Sequence, residues 1–301
     1  MTRARNTLLT VLAPAIWGST YLVTTEALPV GYPITLAVLR VLPAGLLLLL
    51  VTRNLPPVEW LGRTFILGAL NFALFWSLLF ISAYRLPGGV TATLSATQAL
   101  IVLGLSRALL GSAIHLTSMI AAIAGVSGVA MLVLGPDAAL DPIDIAAGLG
   151  GAASMAAGTV LSRKWQPPVS ALTFTAWQLT AGGILLVPVA LILEPASPSL
   201  SMANVAGLTW LGLIGAAATY WLWFRGVARI EPPAISMLGM MSPLTAVALG
   251  WLWLNQTLTP VQIVGSIVVL GSVWLGQAAA RSKGQTPPRC HGQRELKPMT
   301  A

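Results

Sequence analysis

The stretch AIWGSTYLVTTEALPVGYPITLAVLRVLPAGLLLLL, from residue 15 to residue 50, decides the fold class. It contains two long apolar segments around a short break with proline and glycine. One charged residue, Arg40, lies inside the second segment. Segments of about 20 apolar residues are typical of helices that cross the hydrocarbon core of a membrane. The stretch therefore predicts two membrane-spanning helices, one of which carries an arginine.

The composition of the whole chain extends this prediction to an integral membrane protein. Of the 301 residues, 56% are hydrophobic and 8% are charged, and the mean hydropathy is +0.84. Soluble domains carry about 25% charged residues. A net charge of +8 would suggest nucleic-acid binding in a soluble protein. Here we expect the lipid bilayer as the partner and no nucleic acid, because the basic residues follow a membrane topology.

Ten apolar segments follow one another along the chain, and the loops between them are short. The sequence therefore predicts an all-α integral membrane protein with ten transmembrane helices. Hydrophobic periodicity ends at residue 281, so we expect a disordered cytoplasmic tail at residues 281–301. The ten predicted spans are residues 7–26, 33–52, 64–83, 89–110, 115–135, 144–163, 170–193, 205–224, 234–254 and 259–279.

The distribution of lysine and arginine predicts that both termini are cytoplasmic. With the N-terminus in the cytoplasm, 14 of the 16 basic residues fall on the cytoplasmic side. Arg85 falls on the other side, and Arg40 lies within a span. A missed helix would disturb this distribution, so it supports the count of ten. We expect a multi-pass protein of the cell inner membrane.

Weak internal matches divide the chain into two halves of five helices. Residues 34–49 align with 172–187, 84–100 with 228–244, and 121–132 with 264–275, at offsets of 138, 144 and 143. The first alignment pairs Arg40 with Gln178 and Gly45 with Gly183. Because each half has an odd number of helices, the halves must be inverted, and transporters use such repeats to alternate access around a midplane site. The predicted domains are a first five-helix repeat at 1–136, a second, inverted repeat at 137–280, and the tail at 281–301.

Four sequence features occur together: WGSTY (17–21) in the first helix, an arginine partway along the second, SPLTAVALGWLWLNQTLTP (242–260), and GSIVVLG (265–271). With these features, nearly all of residues 7–279 resembles the EamA-type transporters of the drug/metabolite transporter superfamily. The chain is most similar to bacterial inner-membrane exporters of aromatic and other amino acids. The resemblance implies a small-molecule exporter in which the third, fourth, eighth and ninth helices surround a central cavity.

Polar and aromatic residues within the spans are the candidate substrate-binding residues. Aromatic faces with a few amides and hydroxyls suit an amphipathic, partly apolar solute. The alternative is ordinary packing and hydrogen bonding between helices. Asn71 and Gln98 are the strongest candidates, because an amide that faced lipid at the midplane would be destabilising. The candidates are Trp17, Asn71, Trp76, Ser95, Gln98, Tyr220, Met241 and Ser242.

Arg40 has two open interpretations. A charge at bilayer depth costs at least a few kcal/mol unless it is paired, hydrated or able to reach the interface. In the structural interpretation, its side chain reaches the interface or pairs with carbonyls or with Glu26. In the binding interpretation, it faces a wet cavity and attracts the carboxylate of a substrate.

Missing residue types narrow the mechanism. No aspartate or glutamate lies deep within a predicted span, which favours facilitated export over proton coupling. His115 and His291 are far apart in sequence and Cys290 is the single cysteine, so we expect no metal site and no cofactor. The chain has no Walker A sequence either, and we expect no catalytic residue.

Other functions stay open at this point. The cargo could be a drug, a nucleotide sugar or a lipid carrier, although a phosphorylated cargo should need several buried basic residues. A membrane-embedded enzyme would need a nucleophile, an acid/base pair or a metal cluster at one bilayer surface. We expect a monomer, with a dimer as the alternative.

Overall fold

A computed structural model describes residues 3–29, 31–85, 88–133, 141–194, 199–255 and 257–282. All regular secondary structure within these ranges is helical. The predicted boundary between the repeats, at residues 136 and 137, lies outside the described residues. The predicted tail also lies outside them, apart from its first two residues.

The described residues form ten helices that are long and apolar enough to cross a membrane, which confirms the number predicted from hydropathy. Six are continuous: α1 (Arg3–Ala27), α2 (Pro33–Thr52), α5 (Leu116–Val133), α6 (Pro142–Lys164), α7 (Ala171–Leu193) and α10 (Pro260–Ser282). Four are built from shorter segments: α3 (Val58–Gly68, Ala69–Ala73, Leu74–Arg85), α4 (Gly88–Ala96, Gln98–Leu110), α8 (Met202–Thr209, Trp210–Ala218, Thr219–Val227) and α9 (Pro232–Leu238, Met241–Trp253).

The interrupted helices occupy the same two places in each half. The third helix of each half, α3 and α8, contains a π-helical segment, at Ala69–Ala73 and at Trp210–Ala218. The fourth helix of each half, α4 and α9, is broken by a turn near its middle. The interruptions are therefore a property of the repeat, and mid-helix irregularities of this kind are frequent at functional sites.

Short loops place successive helices antiparallel, so the bundle has two ends. We call the end where α1 begins and α10 finishes the terminal end, and the other the opposite end. Helix packing follows the inverted repeat: α2 packs on its counterpart α7, and α5 packs on its counterpart α10. Helix α1 contacts α8 and α9, just as its counterpart α6 contacts α3 and α4.

Glycines allow α2 and α7 to pack closely. A Cβ atom at Gly45 would lie 2.5 Å from the backbone nitrogen of Thr180. A Cβ atom at Gly183 would lie 2.7 Å from the Cβ of Leu42. The sequence alignment pairs these two glycines, and they lie at counterpart positions of one interface. Small residues of this kind let membrane helices approach closely.

A carboxylate fixes one end of the same helix pair. Glu194, directly after α7, accepts hydrogen bonds from the backbone N–H groups of Ile34 and Thr35, each at 2.8 Å. These N–H groups belong to the first turn of α2 and have no partner within the helix. At the other end, the indole nitrogen of Trp177 in α7 donates to the carbonyl oxygen of Asn54 at 2.7 Å. The two helices are thus held together at both ends.

Candidate functional site

A cavity of about 330 Å³ lies within the bundle, between α1, α2, α3, α4, α6, α8 and α9. Its lining combines aromatic rings, small polar groups and one charged side chain, Arg40, among the residues that the structure describes. The rings belong to Trp17, Phe75, Trp76, Tyr220 and Trp223. The polar groups belong to Thr20, Thr24, Ser95, Gln98, Ser236 and Ser242.

Arg40 is held at the cavity wall by the π-helical segment of α8. Its Nη2 donates a hydrogen bond of 2.7 Å to the carbonyl oxygen of Gly215, and its guanidinium carbon lies 5.1 Å from the ring centre of Trp76. The side chain is only 4% exposed, and its Nε has no hydrogen-bond partner within the described chain. Glu26, considered above as a partner, has an exposed side chain. The carbonyl contact is the kind of pairing that the structural interpretation expects, and the place at the cavity wall is the one that the binding interpretation expects.

The same carbonyl connects Arg40 to the first helix. The hydroxyl of Thr219 donates to the Gly215 oxygen at 2.8 Å. The indole nitrogen of Trp17 in turn donates to the Thr219 oxygen at 2.9 Å. A chain of hydrogen bonds therefore joins α2, α8 and α1 around the cavity and orients the Trp17 ring.

The broken helices α4 and α9 bring their turns to the cavity. In α4, Thr97 N–H donates to the oxygen of Leu94 at 3.1 Å, which is the tighter spacing of a 3₁₀ turn. In α9, Ser242 N–H donates to the carbonyl oxygen of Gly239 at 3.0 Å, and Pro243 lacks a backbone N–H donor. Gln98 and Ser242, which follow these turns, both line the cavity.

An aromatic cluster closes the bundle on the terminal side of the cavity. Helix α8 runs toward the terminal end, so Tyr220 and Trp223 in its last segment lie at that side. The Trp17 ring lies 5.0 Å from Tyr220 and 5.3 Å from Trp223, measured between ring centres. Tyr220 also packs edge-on against Phe72 at 4.7 Å, and Phe72 and Tyr220 are buried. The cavity continues toward the opposite end, where Thr24 is exposed.

Several polar atoms of the lining are free to meet a ligand. Within the described chain, the Thr20 and Ser95 hydroxyls, the Trp223 indole nitrogen and the Arg40 Nε are buried without a hydrogen-bond partner. Buried polar atoms of a folded protein are normally paired, and exceptions mark sites that call for an explanation. A bound solute with its own donors and acceptors would satisfy them.

Most of the residues predicted from sequence lie together at this cavity. Seven of the nine candidates are in its lining: Trp17, Arg40, Trp76, Ser95, Gln98, Tyr220 and Ser242. Met241 is half-buried beside it, and its neighbour Met240 contributes to the lining instead. The grouping joins residues from six helices that are far apart in sequence.

Asn71 lies elsewhere, although its amide is one of the two strongest candidates in the sequence. It is fully buried in the π-helical segment of α3 and donates to Gln178 Oε1 at 2.8 Å. Ser162 of α6 lies 3.3 Å from both amide groups. The amide avoids lipid, as its polarity requires, but it does so within a protein network between α3, α6 and α7.

Sequence reasoning missed other lining residues, above all Thr20, Thr24 and Trp223. A signal for them exists in the helical period. Thr20 and Thr24 follow Trp17 at three and seven positions, and Trp223 follows Tyr220 at three, so each lies on the same helix face as a predicted residue.

Comparisons with known proteins agree with this architecture. The EamA-like transporter family matches residues 5–134 and again residues 143–276, five helices in each match. The protein PecM of Dickeya dadantii is 43% identical over 267 residues, which are 88% of this chain and 90% of that protein. The inner membrane transporter YedA of Escherichia coli K12 is 26% identical over 265 residues, 86% of each chain.

A solved crystal structure has the same fold. It superimposes with a TM-score of 0.80 over 93% of this chain and all of that chain, at 17% sequence identity. The twofold family match and the ten helices together agree with two inverted repeats of five. The chain therefore belongs to the EamA-like transporter family and is a multi-pass membrane transporter of the drug/metabolite transporter superfamily.

Proposed function

We propose that this protein exports amino acids, aromatic and other neutral ones, and similar small metabolites across the cell inner membrane. Transport occurs by alternating access and is facilitative, without proton coupling. One observation carries the proposal: Arg40 lines a cavity whose wall also holds five aromatic rings, several hydroxyl groups and the amide of Gln98. This arrangement suits a solute with one carboxylate and an apolar side chain.

The chemistry of the lining supports each part of such a solute. The carboxylate would bind Arg40 through charge-assisted hydrogen bonds, since Nε has no partner within the described chain. The apolar side chain would pack among the rings of Trp17, Trp76 and Tyr220. An ammonium group would find aromatic faces and hydroxyl oxygens nearby.

The size and charge of the cavity argue against the larger or more acidic alternatives. Its volume of about 330 Å³ is near the lower end of the roughly 300–1,000 Å³ of small-molecule sites. A nucleotide sugar or lipid pyrophosphate would be expected to meet several basic residues, and Arg40 is the charged residue of the described lining. A small, neutral or zwitterionic solute fits better.

We also propose that both termini face the cytoplasm, which makes the opposite end the outer face. Basic residues at cytoplasmic loops and helix ends are the usual determinant of orientation. The terminal end of the bundle carries Arg53, Arg63, Arg107, Arg163, Lys164, Arg225 and Arg229. The described cavity would then extend toward the outer face.

Counterflow in proteoliposomes tests the proposed cargo. We expect the purified protein, loaded with unlabelled phenylalanine, to accumulate labelled neutral amino acids with saturable kinetics, and at the same rate with and without a pH gradient. Absence of exchange for every amino acid would contradict the cargo. A rate that depends on the pH gradient would contradict facilitated transport.

A matched pair of tryptophans serves as the control. Trp76→Ala removes a ring of the cavity, whereas Trp274→Ala removes a ring that is 67% exposed on the outside of α10. We expect the first substitution to weaken exchange of aromatic amino acids and the second to leave it unchanged. Equal effects would contradict binding at the described cavity.

A further inference from the structure

The cavity lining obeys the inverted repeat in four of its helices. In α3 and α4, six lining residues have a counterpart 144 positions later, in α8 and α9, that also lines the cavity. Examples are Trp76 with Tyr220, Ser95 with Gly239, and Gln98 with Ser242. In these four helices, the two repeats therefore contribute equivalent positions to the cavity.

Helices α1 and α2 and their counterparts α6 and α7 follow this symmetry at one position and break it at two others. At the offset of 138 that aligns α2 with α7, Trp17 corresponds to Met155, and both line the cavity. Thr24 and Arg40 also line it, but their counterparts Ser162 and Gln178 do not. Ser162 and Gln178 are fully buried. The first repeat thus exposes Thr24 and Arg40 to the cavity. The second repeat keeps the equivalent residues Ser162 and Gln178 covered by protein, and we call these two residues the covered face.

The covered face is closed by the counterpart of the contact that holds Arg40. Arg40 of α2 bonds to Gly215 in the π-helical segment of α8, and Gln178 of α7 bonds to Asn71 in the π-helical segment of α3. Positions 71 and 215 are again 144 apart. Gly158 lets α6 approach, because a Cβ atom there would collide with the Asn71 side chain.

The covered face is incompletely satisfied. Within the described chain, Gln178 Nε2 and Asn71 Oδ1 are buried without a hydrogen-bond partner. Polar atoms left in this way destabilise the conformation that buries them. A second conformation that exposes Gln178 to water or to a solute would satisfy them.

We propose that Ser162 and Gln178 form the polar wall of the binding cavity when the transporter is open to its terminal end. In that state Ser162 and Gln178 line the cavity in place of their counterparts Thr24 and Arg40, because the two repeats exchange their roles. The inference rests on the alternating-access part of the proposed function and does not depend on which solute is carried.

The exchange changes the chemistry that a solute meets. In the state described here, a carboxylate faces a guanidinium, whereas in the terminal-open state it faces the neutral amide of Gln178. The carboxylate is therefore bound more weakly in the terminal-open state, because a hydrogen bond to a charged donor is stronger than one to an amide. A solute captured by the amide side needs no cationic partner, so neutral solutes are accepted there as well.

Thiol accessibility tests the proposal on the full chain. In a Cys290→Ser background, Thr24→Cys and Ser162→Cys are compared in sealed vesicles, with a charged, membrane-impermeant maleimide added to one face at a time. We expect Thr24→Cys to react from the opposite-end face and Ser162→Cys from the terminal-end face. The second reaction should be roughly tenfold or more slower, because it requires the protein to leave the described conformation, and alternative conformations are typically populated to about 0.1–10%.

Ser106→Cys is the matched control, since Ser106 is fully buried in α4 and neither it nor its counterpart Gly250 lines the cavity. It should stay unreactive from both faces. Prior modification of Ser162→Cys should also suppress labelling of Thr24→Cys in the double variant, because one protein cannot be open at both ends. Gln178→Cys is the second reporter if Ser162→Cys does not fold.

Three results would overturn the proposal. The first is that neither Ser162→Cys nor Gln178→Cys reacts, and the second is that they react from the same face as Thr24→Cys. The third is that Ser106→Cys reacts as fast as they do. The test needs no solute, so its failure is separate from failure of the proposed cargo. The labelling pattern combined with no amino acid exchange would support this inference and overturn the cargo.

Discussion

At the scale of single residues, Arg40 shows how a charge can be stable at membrane depth. The carbonyl of Gly215 accepts from one nitrogen, the Trp76 ring covers the guanidinium face, and the side chain borders a cavity instead of lipid. A hydrogen bond to a charged group contributes about 1.5–3 kcal/mol, and contact with an aromatic face adds about 0.5–2 kcal/mol. The same side chain keeps Nε available for a ligand.

We predict that Arg40→Gln raises the half-saturation concentration for neutral amino acids by roughly tenfold to a hundredfold, as loss of a charged hydrogen bond implies. Glutamine is uncharged and already occupies the counterpart position, Gln178, of the other repeat, so the fold should persist. Arg40→Lys should have an intermediate effect, because lysine keeps the charge but lacks the planar group that covers Trp76.

Concentration-dependent counterflow measures both variants. Arg107→Gln, the same change of charge at an exposed position near the end of α4, is the control and should leave the half-saturation concentration unchanged. An unchanged value for Arg40→Gln would show that Arg40 is structural only.

At the scale of helices, the contact between α2 and α7 depends on features of opposite kinds. Glycines bring the middle of the helices together, and polar contacts fix their ends. Glu194 acts as a capping residue for α2 and accepts from Ile34, which lies 160 positions earlier in the chain. Tyr32, at the N-cap of α2, forms no side-chain capping bond, so the cap is supplied by the other repeat.

We predict that Glu194→Ala lowers the stability of the folded protein by about 0.5–2 kcal/mol, the usual range for loss of a helix cap. Glu194→Gln should have a smaller effect, because one acceptor oxygen remains. The change is measured as a shift in the unfolding temperature in detergent, by size-exclusion chromatography with fluorescence detection after heating. Glu59→Ala, at an exposed position in the first turn of α3, is the control. Equal shifts for Glu194→Ala and Glu59→Ala would contradict the capping role.

At the scale of the whole molecule, the inverted repeat determines both packing and access. Counterpart helices pack on one another as α2 with α7 and α5 with α10, and the interrupted helices α3, α4, α8 and α9 surround the cavity. The rings on the terminal side are packed, whereas the lining reaches toward the opposite end. The described conformation is therefore asymmetric about a nearly symmetric framework, which is the arrangement that the proposed alternating access needs.

We predict that loops at the two ends of the bundle face opposite sides of the membrane, with the terminal end in the cytoplasm. In a Cys290→Ser background, Thr257→Cys, before α10, should react with an impermeant maleimide in intact cells. Ala113→Cys, between α4 and α5, should react only after the cells are opened. Reversed labelling would contradict the orientation, and labelling of both in intact cells would contradict the helix order.

Much of the cavity lining could be predicted from the sequence, because a polar or aromatic residue within an apolar span is easily recognised there. Trp76, Gln98 and Ser242 are conspicuous among aliphatic neighbours, and each lies at the cavity. Asn71 is just as conspicuous and lies in a buried network instead. The two outcomes share one local signal, since an amide must avoid lipid in both.

The sequence by itself determined the ten helices, their order and their twofold repetition. Each span satisfies its own backbone hydrogen bonds, so a local run of apolar residues is enough to specify it in a membrane. Only the tertiary structure decided that Arg40 meets Gly215 and the cavity, whereas its counterpart Gln178 meets Asn71. The reason is that these partners are brought together by packing between the two repeats, and in the described conformation that packing opens one repeat to the cavity and closes the other.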